Sequence, residues 1–171
     1  MNNYWLIILL CIVSTQTLIA QKKSCACCTP EARQFDFWLG DWETYTPDGK
    51  LAGRNSITMQ QDSCLIKESW TSNGSAYTGT SYNFFNQQTK KWQQLWIDNQ
   101  GGNLQLEGEF KDGNMQLTSQ LTPNKEGTLQ LDRITWHANA DGTVRQVWEV
   151  STDKGSTWKI IFDGLYKRIN H

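Results

Sequence analysis

Turn chemistry recurs along this chain at nearly regular intervals, and that recurrence restricts the fold more than any other feature of the sequence. Pro47-Asp48-Gly49, Asn73-Gly74, Gly101-Gly102, Asp112-Gly113, Asn139-Ala140-Asp141-Gly142 and Lys154-Gly155 each supply residues that tolerate positive φ, which tight hairpins require. Weaker turns fall near Asp62 and Asn86–Lys90, with a loop at Pro123–Gly127. Between them lie ten strand candidates, at 41–46, 50–60, 64–71, 76–85, 91–98, 103–111, 114–122, 128–138, 143–151 and 157–169. No helical period persists long enough for a substantial helix, and only Glu31–Leu39 reads as a short helical turn. Consecutive hairpins in this number predict an all-β fold, an up-and-down antiparallel barrel of about ten strands, because an open sheet of that width leaves two unprotected edges. Barrel width grows with strand number and about eight strands already enclose one small ligand, so ten leave a cavity.

Turn type sets register, and register sets which residues share a face. A two-residue Asp112-Gly113 turn pairs Phe110 with Met115, Gly108 with Leu117, Leu106 with Ser119 and Leu104 with Leu121, sending Glu107, Glu109, Gln116 and Thr118 to the other face. With Gly142 left-handed, Asn139–Gly142 opposes Trp136 to Gln146 and Ile134 to Trp148 on one face. Arg133 then meets Glu149 on the other, with His137 beside Arg145. Asn73-Gly74 as a two-residue turn pairs Trp70 with Tyr77 and Glu68 with Gly79, so Glu68 points inward opposite a residue without a side chain. At the opening hairpin, a left-handed Gly49 pairs Thr46 with Lys50 and sets Trp42 opposite Arg54, an indole beside a guanidinium.

The 171 residues suffice for one domain with a real core. Sixteen Lys and Arg against seventeen Asp and Glu, with no basic run, argue against nucleic acid or an anionic membrane surface as a partner. Tyr4–Ala20 is apolar and uncharged, Gln21-Lys22-Lys23 follows, and Leu18-Ile19-Ala20 ends on a small residue. The stretch reads as a signal peptide over 1–20, although its n-region lacks Lys and Arg. An uncleaved anchor is the alternative, against which Ser14, Thr15, Gln16 and Thr17 interrupt the apolar run. The expected organisation is therefore a signal peptide at 1–20, a Cys-containing lead-in at 21–34 and a barrel domain at 35–171. The product is exported, periplasmic or secreted, with no membrane contact once the signal is removed. Removing Cys11 with the signal leaves Cys25, Cys27, Cys28 and Cys64, an even set. A bond between adjacent Cys27 and Cys28 would strain the backbone, so Cys64 is expected to bridge to this cluster, with Cys28 the favoured partner. A four-thiolate metal site is the alternative. Cys-x-Cys-Cys is not a zinc-ribbon spacing and no His lies nearby, so no metal is assigned.

Phe35-Asp36-Phe37-Trp38-Leu39-Gly40-Asp41-Trp42 looks like the opening of calycin-type barrels, in which Gly-x-Trp starts the first strand. The stretch 28–169, ending Thr157-Trp158 and Phe162-Asp163-Gly164-Leu165-Tyr166-Lys167-Arg168, resembles a group of exported bacterial lipocalin-like proteins. That resemblance covers most of the chain and implies a lipocalin-like barrel, but it brings no known activity. Nitrobindin and the fatty-acid-binding proteins are similar in implied architecture only. A nitrobindin-like haem site would require a His near the C-terminus, whereas the last strand carries none and His171 lies beyond it, which argues against haem. Ser151-Thr152-Asp153-Lys154-Gly155-Ser156-Thr157-Trp158 also matches the Asp-box hairpin of sialidase propellers. One copy cannot build a propeller of four-stranded blades, so the motif is read as a stable hairpin.

No Ser-His-Asp, Cys-His or phosphate-loop arrangement is present, and two His leave little for general-base or metal work. What remains is the inward face, whose apolar stripe is interrupted by Asn55, Glu68, Gln94 and Gln146. Trp70, Trp92, Trp96, Trp136 and Trp148 share that parity, and Tyr77 joins them. A few placed polar groups among aromatic rings is the usual make-up of a small-molecule site. Gly53, Gly79, Gly108 and Gly164 fall on the same inward faces, where they remove side-chain volume. The expectation is a binder of one small, partly polar, aromatic or amphipathic molecule, with no cofactor. Two other classes stay open: a barrel-type enzyme with Glu68 as a general base raised by burial, and an interaction module meeting a partner through outward Trp residues. The inward polar residues also admit a plainer reading, in which they satisfy one another in a filled core.

Overall fold

The computed structural model describes residues 25–169, so the signal-peptide reading of 1–20 lies outside the described residues. Strands run over Gly40–Tyr45 (β1), Leu51–Gln60 (β2), Leu65–Ser72 (β3), Thr78–Asn86 (β4), Lys91–Asp98 (β5), Asn103–Lys111 (β6), Asn114–Thr118 (β7), Thr122–Pro123 (β8), Leu129–Ala138 (β9), Val144–Ser151 (β10) and Lys159–Arg168 (β11). Every pairing is antiparallel, and β1 pairs both with β2 and with β11. Because β9 pairs with β7 and β10, the ring closes. Ten of these strands form a closed up-and-down barrel, and the two-residue β8 adds only a short pairing to the start of β9.

The β9–β10 hairpin has the register its turn chemistry predicts, with Trp136 opposite Gln146, Ile134 opposite Trp148, Arg133 opposite Glu149 and His137 opposite Arg145. The lower half of the β6–β7 hairpin also agrees, with Phe110 opposite Met115 and Gly108 opposite Leu117. Its upper half does not. After Thr118 the chain leaves β6, Ser119 N–H donates to Asp132 O at 2.8 Å, and Asp132 N–H donates back to Ser119 Oγ at 2.9 Å. The expected Leu106–Ser119 and Leu104–Leu121 pairs are therefore absent from the ladder, and β6 from Asn103 to Leu106 pairs with β5 alone.

Two other registers differ from expectation. At the opening hairpin Thr46 N–H does reach Lys50 O, but Ala52 is an extra residue between Thr44–Gly53 and Tyr45–Leu51. This bulge shifts the ladder by one, so Trp42 faces Asn55 and not Arg54. Arg54 instead lies outside against Glu43 at 2.8 Å, and the guanidinium over Trp42 is that of Arg168 on β11, 4.3 Å from the ring. At Asn73-Gly74 the turn spans four residues, since Ser72 N–H donates to Tyr77 O. Trp70 then faces Gly79 and Glu68 faces Ser81. Two added residues leave strand parity intact, so Glu68 still points inward.

One end of the barrel is filled by the segment before β1. Glu31–Arg33 and Asp36–Trp38 form short 3₁₀ turns there. Phe35 and Trp38 stack with centroids 5.0 Å apart, and Phe35 meets the edges of Trp92 and Trp136 at 5.6 and 5.1 Å. Ring packing is supplemented at the edges by hydrogen bonds, Trp42 Nε1 donating to Trp38 O at 2.9 Å and Trp92 Nε1 to Gln34 Oε1 at 3.2 Å, while Trp38 Nε1 and Trp136 Nε1 are buried without a hydrogen-bond partner. The disulfide Cys27–Cys64 ties its leading edge to the β2–β3 turn, and Cys25–Cys28 closes a small loop within that edge. The bridge from Cys64 to the cluster thus runs through Cys27 and not Cys28. Cys28 N–H donates to Cys25 O at 3.3 Å, and this turn brings those two Cα atoms within 5.4 Å, leaving Cys27 to reach Cys64. With all four thiols engaged, the thiolate metal site does not apply.

Candidate functional site

Behind the plug, the other half of the barrel is hollow. A cavity of about 340 Å³ lies there, walled by Trp70, Trp96, Trp148, Phe162, Tyr77, Leu104 and Ile134 and floored by Glu68, Gln94, Gln146 and Tyr166. Its size falls at the small end of the range of about 300–1,000 Å³ usual for ligand sites. Trp70, Trp96, Trp148 and Tyr77 are only half-buried, so the end away from the plug meets solvent. Two bulge residues, Ala52 on β2 and Ile161 on β11, line the same region, as bulges at barrel rims often do.

The wall rings are held in place by polar partners. Trp70 Nε1 donates to Ser72 Oγ at 2.9 Å, Trp148 Nε1 to Asp132 Oδ1 at 2.8 Å, and Tyr77 OH to Asp98 Oδ2 at 3.2 Å. The glycines serve these rings. A Cβ on Gly79 would sit 2.0 Å from Trp96, and one on Gly53 would sit 2.6 Å from Trp70. At these two positions the released volume is occupied by indoles, while a Cβ on Gly108 would meet the Gln116 backbone and one on Gly164 the Phe162 ring and Thr44, so none of the four inward glycines enlarges the cavity.

The floor is a connected polar network. Glu68 Oε1 accepts from Asn55 Nδ2 and Oε2 accepts from Ser81 Oγ, both at 2.6 Å. Ser81 Oγ in turn accepts from Asn83 Nδ2 at 2.8 Å and from Gln94 Nε2 at 3.3 Å. Asn55 Nδ2 approaches Tyr166 OH at 3.5 Å, and Tyr166 OH donates to Gln146 Oε1. Burial pushes the Glu68 carboxyl up to about 7, against which the bonds from Ser81 and Asn55 pull it down. Burial also raises the Tyr166 phenol well above its ordinary value, with the nearby Glu68 charge adding to the rise.

Seven of the residues singled out in the sequence line the cavity: Glu68, Trp70, Tyr77, Gln94, Trp96, Gln146 and Trp148. Three do not. Trp92 and Trp136 pack against Phe35 in the plug, and Asn55 stands behind Glu68 as its donor. Tyr166, Ser81, Asn83 and Asp132 were missed, yet strand alternation could have found them. Tyr166 alternates with Gly164, Ser81 and Asn83 with Gly79, and Asp132 with Ile134 and Trp136.

This combination, a closed ten-strand antiparallel ring around an aromatic-walled cavity, is a calycin-like architecture. The chain matches no family model and no curated protein. No helix among the described residues is long and apolar enough to cross a membrane. Two disulfides fit an oxidising compartment.

Proposed function

We propose that this is an exported lipocalin-like barrel that binds one small, partly polar, aromatic or amphipathic molecule. The observation that carries the reading is the cavity, with its polar floor and walls of rings pinned by hydrogen bonds. Pinned rings lose little freedom on binding, which favours affinity. Export is supported by the apolar stretch at 4–20 followed by two lysines and by the disulfides. Native mass spectrometry of protein purified from its own host should show a retained small molecule, which denaturation releases. Empty protein that also binds no member of an aromatic and amphipathic compound set would refute the reading.

A second reading is favoured by one observation, the Glu68 carboxyl near 7, a range suited to a general base. Turnover of a bound compound, abolished by Glu68→Gln, would establish it. For the interaction-module reading, the outward Trp158 is half-buried beneath the Arg133 guanidinium, 3.9 Å from its ring.

A further inference from the structure

The cavity surface carries one carboxyl and no Lys, Arg or His. Its only other titratable linings are the phenols of Tyr77 and Tyr166. Two of the wall rings are bonded to acidic groups behind them, Trp148 to Asp132 and Tyr77 to Asp98. A ligand carboxylate or phosphate would find no countercharge here.

The direction of the floor's hydrogen bonds points the same way. Asn83 Nδ2 donates to Ile66 O at 3.2 Å, and a backbone carbonyl can only accept, so the Asn83 amide is oriented. Its Oδ1 therefore accepts from Gln94 Nε2 at 2.7 Å, and both amides donate to Ser81 Oγ. With its lone pairs so engaged, the Ser81 hydroxyl proton goes to Glu68 Oε2. Asn55 Nδ2 supplies the other oxygen. Donors are thus arranged around Glu68 as around an anion, while two of its roughly four acceptor positions stay unused by the protein. A buried carboxylate of this kind calls for a cation.

We propose that the cavity takes a small lipophilic organic cation, an amine or quaternary ammonium, with its nitrogen against Glu68 and its body among Trp70, Trp96, Trp148 and Phe162. This rests on the binding reading above and assigns the ligand's class. Indole faces attract cations most strongly of the aromatic side chains, and desolvation strengthens the attraction.

The test uses three probes of similar shape on the folded protein, read by quenching of Trp fluorescence at pH 8. They are benzyltrimethylammonium, its uncharged carbon isostere neopentylbenzene, and phenylacetate. The expected result is that the cation binds at least about tenfold more tightly than either of the others. Glu68→Gln should remove that preference, the ratio of cation to neopentylbenzene affinity falling to within about twofold of one. In the wild-type protein, calorimetry at pH 6.5 in two buffers of different ionisation enthalpy should show proton release on binding the cation, because the cation holds Glu68 ionised. Neopentylbenzene or phenylacetate binding as tightly as the cation would overturn the cation assignment and leave the binding cavity standing. Cation affinity unchanged in Glu68→Gln, or no proton release in the wild type should that variant not fold, would overturn it too. Failure of all three probes to bind would overturn both this assignment and the binding reading.

Discussion

Glu68 couples the site to stability. Below about pH 4.5 its carboxyl is protonated in both folded and unfolded chains, and between there and about 7 only the unfolded chain ionises. Ligand-free protein should therefore lose stability as pH rises through that window and level off above it. At 1.36 kcal/mol per tenfold change in proton affinity, the loss is on the order of 3 kcal/mol. Urea midpoints at pH 4.5 and 8 should show a drop in the wild type that is largely absent in Glu68→Gln. A second residue-scale expectation concerns Gly79, where a methyl group would collide with the Trp96 ring. Gly79→Ala should cost about 1–3 kcal/mol by overpacking and change the fluorescence of the cavity indoles, since Trp96 must leave its seat. Equal thermal midpoints and an unchanged spectrum would show that the ring shifts freely.

Among the elements, the β10–β11 hairpin closes its turn with its own side chains. Asp153 accepts from Thr157 N–H at 2.9 Å, Thr157 Oγ1 at 2.6 Å and Ser151 Oγ at 2.7 Å, while Trp158 Nε1 donates to Gly155 O at 3.0 Å. The bonds from Thr157 and Ser151 lower the Asp153 carboxyl to about 2. Its contribution is thus present above the ordinary value of 3.8 and lost as pH falls through about 2. In Asp153→Ala, hydrogen exchange should quicken at residues 151–158 and stay unchanged in β3–β5. Turn residues made most of this element pattern legible in advance, because Gly at positive φ, as at Gly49, Gly74, Gly113 and Gly142, locates the ends of strands. Registers were legible only where the loop length was right. Asn73-Gly74 looked like a two-residue turn and is part of a four-residue one, an even error that kept Glu68 inside. The Ala52 bulge carries no residue signature, and its odd shift moved Arg54 away from Trp42. Adjacent Cys27 and Cys28 could not be told apart until the Cys25–Cys28 turn was seen.

At the scale of the molecule, one covalent link joins the plug to the barrel. Cys27 and Cys64 are separated by 37 positions, a loop whose closure is worth about 4 kcal/mol in the unfolded chain, whereas the Cys25–Cys28 loop spans three and contributes far less. Replacing Cys27 and Cys64 by Ser should lower the thermal midpoint well beyond the change from replacing Cys25 and Cys28; equal losses would contradict the ranking. The ring is less evenly closed than its strand count suggests. Where the chain leaves β6 after Thr118, a groove lies on the outer face of the barrel, lined by Phe84, Gln93, Leu95, Gln105, Thr118 and Gln120. Three of the ten junctions around the barrel are short, with five residue pairs each between β6 and β7 and between β7 and β9, and four between β1 and β11. Local opening of the ring is thus expected to begin at these shorter seams and not along β2–β5, where neighbouring strands share six to eight pairs.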